Sequence, residues 1–465
     1  MLPWKLLVVA DLGLSAAEPQ RLSSSSQGLD GWPTRWSGQV EIPLPNERGT
    51  MSSKTLSLKL DSFSAFTPSA IMEALRNAGV AAPTAVQIDA VLHHAIFQRV
   101  ESAWRGLAFL AAHVGADLEL FVLSSPRDQL IERFRSEVFL AMQDPWSAIV
   151  LDFDWSHKGP ELETLRTLAG MAKVLKAPLL TGAAPTLFDL RYFAHLSAIP
   201  NVVDRVSDPA HATWREYQTS EEARWVSLSV NRYLQRAPYR DDAEGGHREL
   251  VEEAKPETFL FGRASWLVGA AMARSIATHG HALDLAGARG GRFEGLPTRS
   301  YPQAINDEVA LAAETPLPEM RAMELTRAGV SPVVGILRTN GVVLPLVNTS
   351  FQLMPGKLTT EALLPYQITV GRVGQLCDRL LDRVSAGAAP PETSTSEGLC
   401  AWIQSELTAF LGPLAGDPPG STVAVTREEI DPGDGSALSV AHVTITPTET
   451  LEGRPFTIEL ILPLG

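Results

Sequence analysis

Three stretches hold the side chains best suited to chemistry. In VLDFDWSHKG, Asp152, Asp154 and His157 follow an apolar, β-branched run. Carboxylates at the C-terminal end of a strand are where α/β enzymes place metal-binding or acid–base groups. One reading is therefore a cytoplasmic metal-dependent hydrolase built on these three residues. The same residue types also cap helices and close turns, and no third metal ligand is evident. In THGHALD, His279, His281 and Asp284 stand close together. His-x-His binds metal when it lies on a strand, but here it follows a helical pattern and brackets Gly280, as a C-terminal turn does. AGARGGRFEGLP is rich in glycine yet has neither G-x-G-x-x-G nor the Lys-Ser/Thr of a phosphate loop, so it reads as a tight turn. No G-x-S-x-G elbow occurs. No catalytic residue, metal or cofactor is assigned, and the chain reads as a non-enzyme.

A different constellation lies in FQRVESAWRGLAFL. Phe97, Val100, Trp104, Leu107, Ala111 and Val114 recur at steps of three and four and mark one apolar stripe. Glu101 and Arg105 flank it four residues apart, acid first, the favourable order for a helical ion pair. On the surface such a pair contributes a few tenths of a kcal/mol. Buried, its loss on one side leaves an unpaired charge, at a cost of about 3–5 kcal/mol. Glu101, Trp104 and Arg105 are therefore read as a structural brace, with a solvated pair on a core helix as the alternative. Trp225, Arg232, Arg236 and Tyr239 follow or end a strand run. Arg and aromatic side chains suit interfaces, and an intramolecular role fits these four equally.

The elements that must position these residues alternate. Strand-like runs lie at 5–12, 56–63, 118–125, 147–154, 177–182, 224–230, 331–337, 342–348, 422–428, 438–447 and 456–463. Helical patterns lie at 67–79, 85–114, 126–143, 160–176, 265–280, 358–384 and 396–414. Alternation from about 117 to 230 has the form of βαβ units. Helices followed by three strands at the end give α+β, so the class is α/β to α+β with a mixed sheet. Residues 23–38 read as a loop, 240–257 as a solvated surface insertion and 385–398 as a Pro/Ser/Thr linker.

Composition narrows the function. The chain has 465 residues, enough for two or three domains, and a formal net charge of −14 without a Lys/Arg run. An acidic surface repels phosphate backbones, so nucleic acid is not an expected partner. Two cysteines, Cys377 and Cys400, make no disulfide framework or zinc motif, which points to the cytoplasm. The opening MLPWKLLVVADLG is too short and too interrupted by Asp11 for a signal peptide or membrane span, and reads as a buried strand and turn.

With these residues in view, a family resemblance appears. FQRVESAWRGLAFL resembles a signature of the large subunit (TssC or VipB-like) of the type VI secretion contractile sheath. PLLTGAAPTLFDL, WREYQTSEEARWVSLSVNRYLQRAPY, SWLVGAAMARSIATHGHALDLAGARGGRFEGLP, LLPYQITVGRVGQL, AWIQSEL and FTIELILPLG are similar to further motifs of that family, in order, over about 90–465. The first eighty residues, through LPWKLLVVADLG and LSLKLDSFSAFTPSAIMEAL, resemble the small subunit (TssB or VipA-like). The resemblance implies a natural fusion, with a small-subunit-like part at 1–80 packed against a large-subunit-like body at 81–465. It implies a contractile-tail-sheath-like fold and a helical sheath assembled by strand exchange. It also implies an inner tube and a baseplate as partners, or a related ring or non-contractile tube. Edge strands near 5–12, 438–447 and 456–463 would accept neighbours, with Phe456, Ile458 and Leu460 joining Trp225, Arg232, Arg236 and Tyr239 as interface candidates. The family's long N-terminal arm has no counterpart in this sequence, which leaves recognition by the recycling ATPase open.

Overall fold

The computed structural model describes residues 2–14, 18–22, 38–141, 144–239, 252, 258–304, 307–412, 422–430 and 438–464. The loop read at 23–38, except Gly38, which opens a strand, and the insertion read at 240–257, except Glu252, lie outside them.

In chain order the first strands are β1 (Trp4–Ala10), β2 (Gln20–Leu22), β3 (Gly38–Pro45), β4 (Met51–Leu60), β5 (Leu118–Ser124) and β6 (Ala148–Trp155). Next come β7 (Leu179–Ala183), β8 (Val226–Val230), β9 (Arg232–Leu234), β10 (Phe261–Arg263), β11 (Arg292–Phe293) and β12 (Arg299–Ala304). The rest are β13 (Asp307–Leu311), β14 (Ser331–Pro332), β15 (Val334–Ile336), β16 (Gly341–Val343), β17 (Thr422–Ile430), β18 (Leu438–Thr446) and β19 (Ile458–Pro463). The helices used below are α1 (Pro68–Asn77), α2 (Ala85–Leu92), α3 (Ala95–Ala111), α4 (Gly159–Leu175), α5 (Ser265–His279), α6 (Leu364–Ser385) and α7 (Ser396–Phe410).

The fold is mixed α/β around a seven-stranded sheet in the order β14-β8-β7-β6-β1-β5-β2. All its neighbours pair in parallel except β2 against β5, so the sheet is mixed. The period-2 alternation of a strand divides its side chains between two cores. Leu6, Val8 and Ala10 of β1 pack into one with α3 and α5, while Leu7 and Val9 enter the other with α4. On β6, Ala148 and Val150 join the first core and Ile149, Leu151 and Phe153 the second. A third core forms where α6 and α7 cover the β17-β18-β19 sheet.

Two edge expectations are corrected. β1 is central, paired with β5 on one side and β6 on the other. Its run of consecutive apolar residues is what a strand covered on both faces requires. β18 is also internal, between β17 and β19. β19 is an edge, as read, and so is β17.

The helical pattern read at 85–114 is two helices. His94 caps the second, its Nδ1 accepting from the Ile96 amide. The pattern at 126–143 divides into a 3₁₀ turn, one α turn and a π segment at Phe134–Phe139. The linker at 385–398 contains a 3₁₀ turn and runs into α7, which Thr395 caps. No described helix is long and apolar enough to cross a membrane.

Candidate functional site

The side chains with the most unusual environment are charges inside the first core. The α3 stripe faces the sheet, and the 100° step per residue that buries Val100 and Trp104 also carries Glu101 inward. Glu101 is fully buried. It accepts from Arg105 Nε at 2.8 Å and from Arg236 Nε at 3.2 Å. Arg236, beyond β9, meets Glu252 end-on through both terminal nitrogens, Nη1 to Oε2 at 2.6 Å and Nη2 to Oε1 at 2.7 Å. Glu252 Oε2 also accepts the Tyr239 amide at 2.9 Å, and His93 Nε2 lies 2.9 Å from Oε1. The Arg236 guanidinium sits 4.2 Å from the centroid of the Tyr239 ring.

Geometry sets the protonation states here. Burial alone would raise the Glu252 carboxyl, but the hydrogen bonds from Arg236 and His93 and the Arg236 charge hold it down at about 2. Burial works against the Arg236 charge, yet Glu252 and Glu101 hold its pKa above the ordinary value. Trp104 is buried beside this cluster and donates from Nε1 to the Leu12 carbonyl at 3.0 Å, joining α3 to the chain leaving β1. Arg99 reaches Asp11 in the same segment at 2.9 Å.

A second cluster lies along the same face of the sheet. Asp152 Oδ1 accepts from Arg263 Nη1 at 3.1 Å and from Trp266 Nε1 at 2.9 Å. Asp154 Oδ2 accepts from Arg232 Nη2 at 2.9 Å, and Arg263 Nε lies 3.0 Å from its Oδ1. Burial raises the Asp152 carboxyl. Burial pulls Asp154 the same way, but Arg263 and Arg232 outweigh it and lower its pKa. These carboxylates are thus held by arginines of β9 and β10 and an indole of α5.

The hydrolase trio does not come together. Asp152 and Asp154 belong to the arginine cluster, while His157 turns to Asp189, Nε2 to Oδ1 at 3.1 Å. His279 ends α5, with Gly280 left-handed at φ 75° as its C-terminal cap, and His279 and His281 stack at 5.4 Å. Trp225 is buried within the chain. Phe456 and Ile458 are buried in the third core, and Leu460 is half-buried against it.

Sequence reasoning did not single out Glu252, Arg263, Trp266 or Gly106. A signal existed for Glu252. Glu101 in an apolar stripe demands an opposite charge, and with Arg105 and Arg236 both drawn to it a second carboxylate is needed to balance the two cations. Gly106 is dictated by close approach, since a Cβ there would stand 2.3 Å from Trp266 Cε2.

Buried charges clamped between sheet, α3 and α5 describe a rigid structural body. The family model for the EvpB/VC_A0108 tail sheath N-terminal domain, VipB, matches residues 79–350. The chain therefore belongs to the VipB tail sheath family. The type VI secretion system sheath protein TssC1 of Pseudomonas aeruginosa is 25% identical over 283 residues, 55% of this chain and 57% of that protein. The match thus spans less than two thirds of that relative's length. Among solved structures, the sheath tail protein Lin1278 of Listeria innocua aligns with 100% of this chain and 96% of its own, at 12% identity and a TM-score of 0.40. A chain of the anti-feeding prophage baseplate aligns with 99% of this chain and 89% of its own, at 11% identity and the same TM-score.

Proposed function

We propose that this protein is a structural protomer of a helical contractile sheath in a type VI secretion-like injection apparatus. It assembles with copies of itself around an inner tube on a baseplate and acts through shape rather than catalysis. The family match over residues 79–350 carries the reading. Its setting is the cytoplasm, in keeping with two buried free cysteines. The buried clusters around Glu101 and Asp154 serve as braces that keep the body rigid under load. Residues 1–80 act as a fused small-subunit-like part, and 81–465 as the large-subunit-like body.

The open edge of β19 supports assembly by strand addition. The Leu464 amide donates inward to Ser439. By alternation, the amides of Glu459 and Ile461 point away from β18, and the Ile461 side chain is 61% exposed. Proline at 461 removes an outward donor without breaking the ladder to β18. Electron microscopy of the full-length protein tests the proposal. The native chain forms tubes or helical arrays, and Ile461→Pro stays as folded single particles. Monodisperse native monomers, with or without the other components of the system, overturn it, and closed rings replace the contractile tube with a ring-forming relative.

A further inference from the structure

The side chain that left the hydrolase trio belongs to another group. His157 follows β6, Asp189 caps the 3₁₀ turn Pro185–Phe188 after β7, and His211 ends the turn Pro209–His211. Their potential ligand atoms all lie within 4.8 Å of one another. His157 Nε2 is 3.1 Å from Asp189 Oδ1 and His211 Nε2 is 3.5 Å from Asp189 Oδ2. The two imidazoles stack with centroids 4.0 Å apart and planes at 28°, and Nε2 of each ring faces one oxygen of the Asp189 carboxylate. His157 is 7% exposed and His211 1%, while the Asp189 side chain is 30% exposed.

We infer that His157, Asp189 and His211 form a binding site for a borderline divalent transition metal, with Zn²⁺ as the reference ion. Ligands about 2.0–2.1 Å from a tetrahedral zinc lie roughly 3.3 Å from one another, and the 3.1 Å and 3.5 Å separations, one to each oxygen of Asp189, are close to that value. Two neutral imidazoles and a carboxylate are an established donor set for such ions. The exposed side of Asp189 gives the ion its path in and leaves a position for water as fourth ligand. Binding displaces the Lys158 ammonium, now 3.0 Å from Asp189 Oδ1 and itself largely exposed. It also breaks the contact of His211 Nε2 with the Leu187 carbonyl, 3.2 Å away, because a ligating Nε2 gives up its hydrogen and the neutral ring carries it on Nδ1 instead. The ion would staple the three segments that follow β6, β7 and the helix Val202–Ser207. None of these groups touches the Glu101 or Asp154 clusters, so the site is independent of the assembly reading.

The test uses the full-length protein, dialysed against chelator and titrated with Zn²⁺ and then with Co²⁺. The expected result is one equivalent bound, a higher Tm, and visible Co²⁺ d–d bands of a low-coordinate site. His157→Gln, at the less buried ring, lowers the affinity by more than about tenfold, and Lys158→Ala raises it. His279→Gln leaves binding unchanged, which separates this site from the other histidine pair. Far-ultraviolet circular dichroism confirms that each variant is folded. Absence of Co²⁺ bands in the folded native protein, or an affinity unmoved by His157→Gln, overturns the inference.

Discussion

Arg236 holds two buried carboxylates at once, Glu252 through two hydrogen bonds and Glu101 through a third. Among the described residues, removing it leaves Glu101 with Arg105 alone and Glu252 with only the Tyr239 amide and His93, so two buried carboxylates face one remaining guanidinium. Arg236→Met therefore destabilises the protein by about 3–5 kcal/mol, read as a lower midpoint in urea denaturation, whereas Arg105→Met, at the solvent edge, costs less. The same geometry fixes a pH dependence. The Glu252 carboxyl titrates at about 2 in the folded protein and at about 4.3 unfolded. Its contribution is fully present above the unfolded value and is lost as pH falls from there toward 2. Urea midpoints measured downward from pH 6 should fall in that window for the native protein and less steeply for Glu252→Gln. The i,i+4 pair Glu101–Arg105 was legible in the sequence because helical spacing alone brings it together. Arg236 and Glu252 were not, since their meeting depends on strand β9 returning the chain to α3. Glu252 was also hidden among charged neighbours in a stretch that reads as surface.

Elements show where local pattern stops being enough. The break between α2 and α3 has no Pro or Gly, only His93 and His94, and the apolar stripe runs on across it. Leu130, Phe134 and Val138 are all buried at steps of four. In a plain α-helix each such step overshoots one turn by about 40°. The wider turn of the π segment takes the overshoot back and keeps the three side chains on one core, which periodicity cannot announce. Helix pairing has its own determinant in Gly106, which lets α3 lie directly on the Trp266 indole of α5. Gly106→Ala pushes that indole from its place and from the Asp152 carboxylate it bonds. The expected cost is about 1–3 kcal/mol of overpacking, together with a shift in tryptophan emission as the Trp266 environment changes. An alanine variant with native stability and emission would mean the helices separate freely and that α3 is not a rigid brace.

For the molecule as a whole, the decisive feature is that the first strand stands in the middle of the sheet. KLLVVA reads as a strand covered on both faces, but nothing local says which strands flank it. β5 and β6 come from residues beyond 110, and their pairing with β1 is a property of topology. The proposed fusion of a small-subunit-like part with a larger body therefore has a physical consequence. Without residues 1–80, β5 loses both its partners, β1 and β2, β6 loses β1 along Ala148–Leu151, and Leu6, Leu7, Val8 and Val9 leave voids in both cores. Open parallel edges and apolar faces of that kind aggregate. Residues 81–465 expressed alone should be insoluble. Co-expression with residues 1–80 as a separate chain should restore a soluble one-to-one complex, because the exposed stretch between α1 and α2 is only a connection. If 81–465 alone is soluble and melts at the temperature of the full chain, the leading part is an appendage and the two-part reading of the protomer is wrong. If the complex forms only from the paired chains, the covalent link serves chiefly to enforce equal numbers of the two parts in the assembled lattice.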